Sequence, residues 1–103
     1  MKIIAKVVDM IDDEIDGAEE YAEYALKCKA DHPKLAAKFN ELAQVELGHV
    51  KQLHAEVVRL IDEYRQQHGE PPKEMLLVYN YEHDKQIRRS AGISSLINAY
   101  SNN

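Results

Sequence analysis

Apolar residues recur at helical spacing along most of this chain. With each residue advancing a helix by about 100°, Ile4, Val7, Ile11, Ile15, Ala18, Ala22 and Ala25 fall on one stripe. A second stripe, Leu35, Phe39, Leu42, Leu53, Val57, Leu60 and Tyr64, follows beyond Pro33. No stretch alternates with the period of a strand. The pattern predicts helices over 2–29, 33–68 and 72–89, the last ended by Ser90-Ala91-Gly92 and followed by a short helix over 93–100. Pro33 suits a first helical position, with Asp31 or His32 as cap, while Gly69 and Pro71-Pro72 separate helices two and three. Short connections make neighbouring helices antiparallel. The expectation is therefore all-α: a long helical hairpin with a third helix packed on it, in one domain spanning 1–103.

The polar residues that interrupt these stripes change the picture. Glu46 falls near the centre of the second stripe, with His49 about 60° to one side. In the first helix, Asp12, Asp13, Asp16, Glu19, Glu20 and Glu23 point away from the stripe and read as a solvated face. Glu14 is the one acid there that turns inward, about 50° from the stripe's centre. Glu46 and His49 form a Glu-x-x-His pair, whose i, i+3 spacing puts both side chains on one side of a helix. The pattern alone says little, because eleven Glu and five His give roughly half an occurrence by chance. Height along the hairpin says more. About the loop centre at residue 31, Glu14 lies 17 residues before, Glu46 15 after and His49 18 after, so all three share one level. Two carboxylates and an imidazole are a mixed oxygen and nitrogen donor set, suited to Fe, Mn or Zn. Gly48, inside the helix, is expected to make room for another helix or for a metal-bound water.

Helix three carries Glu82 and His83 at its own apolar stripe as further inward polar residues. The same arithmetic sets Glu82 level with residue 58, roughly 18 Å along the axis from Glu46, so pairing with Arg59 or a neighbouring chain is expected instead. Level with Glu46 and His49, helix three offers only Ala91, Gly92 and Ile93.

Composition narrows the function. A net charge of −5, with no Lys/Arg cluster, argues against nucleic acid and against a charged membrane surface. No apolar run reaches the length of a membrane span, and the N-terminal residues lack the features of a signal peptide. Cys28 stands alone, so no intrachain disulfide forms and a cytoplasmic setting is expected.

The segments Glu14–Ala25 and Leu35–His49 resemble the ferritin-like superfamily, near its rubrerythrin branch. Glu14 precedes Tyr21 by seven residues, and Ala36 and Phe39 lead to Glu46 and His49, as in that family; the resemblance covers roughly residues 10–60. The second helical pair of rubrerythrins and ferritins, with its own Glu and Glu-x-x-His, is missing here, as are the rubredoxin-like Cys pairs. The chain is in this respect more similar to the half-length ferritin-like proteins of the encapsulated type, although Ser94–Tyr100 is unlike a shell-targeting peptide. The resemblance implies a four-helix bundle completed by dimerisation and a di-iron carboxylate site shared by two chains. It also implies oxidation of Fe(II) by oxygen or peroxide, as in a ferroxidase- or peroxidase-type oxidoreductase. Glu14, Glu46 and His49 are then the metal ligands, and Tyr21 an outer partner that orients them. Two other readings stand beside it. One is a catalytically inactive ferritin-like bundle that serves a protein partner. The other is a helical structural protein whose Glu and His are core hydrogen-bonding groups.

Overall fold

A computed structural model describes residues 2–102, in three helices: α1 (Lys2–Cys28), α2 (Pro33–His68) and α3 (Lys73–Asn102). The molecule is a rod of 55 × 17 × 17 Å. Its length is that of α2 alone, since 36 helical residues rising about 1.5 Å each span about 54 Å. The turns follow the residues that break them. Pro33 occupies the first turn of α2, and His32 caps it through its backbone, without a side-chain hydrogen bond. At the other end Gly69 adopts φ +82, and its N–H donates to the Arg65 carbonyl. No helix among the described residues is long and apolar enough to cross a membrane.

α1 buries the predicted stripe: Ile4, Ile11, Ile15, Ala18, Ala22 and Ala25 are each at most 2% exposed, with Val7 half-buried beside them. α2 departs from expectation. Its buried line is Ala36, Asn40, Ala43, Val50 and Val57, rotated by about one residue from the predicted stripe. Of that stripe only Val57 is buried; Leu35 is 47% exposed, and Phe39, Leu42, Leu53, Leu60 and Tyr64 are half-buried. The cause is size. Alanines on both helices permit a close approach, and the line of small residues becomes the contact. The larger side chains are left along one flank.

α3 differs too: it runs unbroken through Ser90-Ala91-Gly92. Packing outweighs the roughly 1 kcal/mol propensity cost of Gly92. Ile93 is 1% exposed in the shared core, Leu96 and Ile97 pack against it, and Lys29 Nζ donates to the Tyr100 carbonyl at 2.5 Å. α3 lies mainly on α1 and touches α2 only lightly. It docks partly through the acids expected to be solvated: buried Gln86 donates to Asp12 Oδ1 at 3.1 Å and to the Val8 carbonyl at 3.3 Å. Arg89 pairs with Asp16 at 2.7 Å.

Gly92 lies in a helix interior with nothing within 4 Å of an added Cβ. Gly92→Ala should therefore raise stability by roughly 0.5–1 kcal/mol. Ile15→Ala should lower it by about 2–5 kcal/mol, because Ile15 is fully buried. Urea unfolding followed by circular dichroism measures both.

Candidate metal centre

The rotation of α2 decides where its polar residues go. With the alanine line against α1, Glu46 and His49 stand on the flank beside Phe39, Leu42 and Leu53, and Glu14 faces them from α1. His49 Nδ1 lies 3.4 Å from Glu14 Oε2 and 3.9 Å from Glu46 Oε2. One ligand atom from each of the three residues lies within 4.8 Å of the other two. The side chains of Glu14 and Glu46 are 29% and 24% exposed, and that of His49 is 45% exposed. The shared level read from the sequence is present, but on an open face and not in a sealed core.

The antiparallel register fixes the neighbours. Ile3 and Leu60 line a common cleft, Glu14 meets His49, Gly17 meets Glu46, and Tyr21 stacks on Phe39 with ring centroids 5.9 Å apart. Gly17 is a site residue that the sequence reading does not single out. A Cβ there would lie 3.8 Å from both Cδ and Oε2 of Glu46, so its bare backbone forms the floor beneath that carboxylate. A glycine in the middle of an otherwise well-patterned helix was the available signal. Tyr21 stands two turns, about 10 Å, along α1 from Glu14, and its ring is taken up by Phe39. Gly48 lies elsewhere: an added Cβ would meet nothing, and the residue lines the groove between α2 and α3 with Ser90 and Ser94. The room expected there for a metal-bound water is thus away from Glu46 and His49.

Two carboxylates held this close repel. At an effective dielectric of 20, unit charges 4–5 Å apart cost on the order of 3–4 kcal/mol, less where water reaches them. Among the described residues neither Glu pairs with a Lys or Arg; the half-exposed His49 is their shared partner. The two distances from His49 suit a shared cation. Ligand atoms about 2.0–2.2 Å from one ion lie about 3–4.4 Å apart, which brackets both His49 distances.

Glu82 and His83 belong to a different place. Arg59, the expected partner of Glu82, binds Glu56 at 2.5 Å and Glu63 at 3.1 Å on its own helix. Glu82 instead lines a cavity between α2 and α3 with His54, His83 and Tyr79. His54, which the sequence reading passes over, stacks on His83 with centroids 4.1 Å apart and planes 8° from parallel. Burial, and then the neighbouring His83, push the His54 pKa down. Burial also pushes the Tyr79 phenol up.

No protein-family model matches the chain, and no match is found among curated proteins or solved structures.

If Glu14, Glu46 and His49 were a buried structural network, removing one would cost about 3–5 kcal/mol in the metal-free chain. Half-exposed ion pairs contribute about 0–1 kcal/mol, so His49→Ala should cost less than about 1 kcal/mol without metal. Denaturant titration in a chelator checks this. The sign of the His54 effect is also fixed. Its folded pKa lies below the ordinary 6.5, so the unfolded chain binds more protons near and below that pH. The stabilising contribution is complete above pH 6.5 and is lost as pH falls through the folded value. His54→Gln should flatten the acid limb of the stability curve, measured by melting temperature between pH 7.5 and 5.

Proposed function

We propose that this protein binds iron through Glu14, Glu46 and His49, and that a second copy of the chain completes a di-iron carboxylate centre which oxidises Fe(II). The observation that carries this reading is the gathering of two carboxylates and an imidazole, from two helices, on an otherwise apolar flank with no Lys or Arg to neutralise the acids. A divalent cation offsets the repulsion that the protein's own side chains leave in place.

The flank also supports the second copy. Ile3, Met10 and Tyr24 of α1 and Leu35 of α2 are 42–58% exposed along the same side, with Phe39 and Leu53 half-buried between them. On α1 the steps from Ile3 through Val7, Met10, Glu14, Gly17 and Tyr21 to Tyr24 alternate by four and three, the spacing of a helix seam that expects a partner helix. Two hairpins meeting face to face about a two-fold axis make four helices and bring together four Glu and two His. That is the ligand count of di-iron carboxylate bundles, in which one helix of each pair gives a Glu and the other a Glu-x-x-His.

The roles divide by chemistry. Glu46, over the bare backbone of Gly17, would hold the metal together with Glu14 and His49. Manganese or zinc suits the same donors. When bound, a pair of irons supplies two-electron redox chemistry toward oxygen or peroxide. The protein supplies fixed donors, and an apolar surround that keeps bulk water from them once the face is covered.

Adding Fe(II) anaerobically should load about one iron per chain, two per pair of chains, and shift the protein toward the dimer. Admitting air should oxidise that iron faster than iron free in buffer. Glu46→Ala should lose the stoichiometric binding while keeping its helix content. Equal binding by the variant, or none by the parent protein, would refute the reading.

A further inference from the structure

His54 and His83 lie outside the triad, on helices that otherwise barely touch. Their rings come from α2 and α3, 29 residues apart in sequence, and stack at 4.1 Å. Among the described residues no hydrogen bond joins either ring to another protein group; of the five His, His49 is the one so engaged. Both rings line the groove between α2 and α3, which contains Glu82 and Tyr79 on one side and Lys51 and Ile87 on the other. We propose that His54 and His83 form a second cation site, selective for a zinc-like borderline metal, which clamps α3 to α2.

Distance supports this. Two ligand nitrogens on a tetrahedral zinc, each about 2.0–2.1 Å from it, lie about 3.3 Å apart. The ring centroids stand 4.1 Å apart, against about 5 Å for two imidazoles on one tetrahedral zinc, so side-chain rotation that parts the rings by about 1 Å is needed to bring both to one ion. The lone pairs lie in the ring planes, so the stacked rings must each turn about their side-chain bonds before both address one ion. Glu82 lines the same cavity, and the open groove admits water to the remaining positions. Metal binding requires neutral imidazole and so weakens as the pH falls. Lys51, one turn before His54, is exposed, so its ammonium has solvent available away from the ion. The donor set separates the two sites. The triad is rich in carboxylate oxygen and suits iron or manganese, whereas a two-imidazole site favours zinc, copper or nickel. The consequence is mechanical: a clamp here ties down a helix whose packing on α2 is otherwise slight.

The test removes the triad first. In Glu46→Ala/His49→Ala protein, Zn(II) is titrated by calorimetry, and Co(II) by its visible absorption. The expected result is saturable binding of about one zinc per chain, with a tetrahedral Co(II) band. At zinc about 100-fold above its dissociation constant, the folded-to-unfolded ratio should rise about a hundredfold, read as a higher melting temperature. His83→Leu and His54→Leu, each made in that background, fill the groove but cannot ligate. Each should abolish zinc binding, the cobalt band and the thermal shift. Absence of binding and of the cobalt band in the triad-deleted protein overturns the proposal, as does binding that survives either leucine substitution. Because the triad is already gone, neither result bears on the iron reading.

Discussion

Close contact between α1 and α2 through small side chains is the constraint on which the rest of the molecule depends. Ala18, Ala22 and Ala25 on one helix and Ala36 and Ala43 on the other are essentially without exposure. Helices approach most closely where such residues meet, and the line of closest approach sets the rotation of each helix about its axis. Once α2 is turned so that its alanines face α1, its Leu and Phe residues must lie to one side, and Glu46 and His49 go with them. The triad is thus a consequence of how the hairpin packs, and its position on an open flank has the same origin.

An alanine interface fixes geometry well but removes little apolar surface from water. At about 25 cal/mol per Å², small side chains contribute modestly, and among the described residues the large fully buried groups are only Ile4, Ile11, Ile15 and Ile93. A 17 Å thick rod has little interior beyond these. Small domains of this kind gain disproportionately from association, because the surface still exposed is what a second chain can bury. The third helix does not relieve the need: it lies on α1, opposite the open flank, and is held partly by Gln86 and Arg89 reaching the acidic side of that helix. In the proposed dimer, covering the flank and completing the ligand set would be met by the same event.

The parts of this architecture that were legible in the sequence are those set by local chemistry. Pro33, Gly69 and Pro71-Pro72 mark the helix ends, and counting residues from the first turn places Glu14, Glu46 and His49 at one height. What periodicity could not give was the phase of α2. Two adjacent stripes run along that helix, one large and one small, and hydrophobic weight favours the large one although close packing selects the small. The continuity of α3 was hidden for a related reason: Ser90-Ala91-Gly92 is locally a poor helix, and the burial of Ile93 that overrides it comes from a distant part of the chain. The His54–His83 pair depends on how α3 lies across α2, which no helical wheel of a single segment contains. Gly17 was within reach, since a glycine facing inward from a strong helix needs a reason.

The exposure and pairing of Glu14 and Glu46 favour the proposed metal site over a buried polar network. A network retained to specify packing is expected to be enclosed and fully paired, because a half-satisfied one is costlier than an apolar core. Glu14 and Glu46 are neither enclosed nor paired with a permanent cation, and their one partner, His49, is nearly half exposed. Carboxylates that only specify packing have no reason to stand together on a surface whose other members are apolar. Carboxylates that bind a cation must do so, because the ion has to arrive from water and then be shielded from it. An open apolar flank, covered when a second chain docks as proposed, would meet both requirements in sequence.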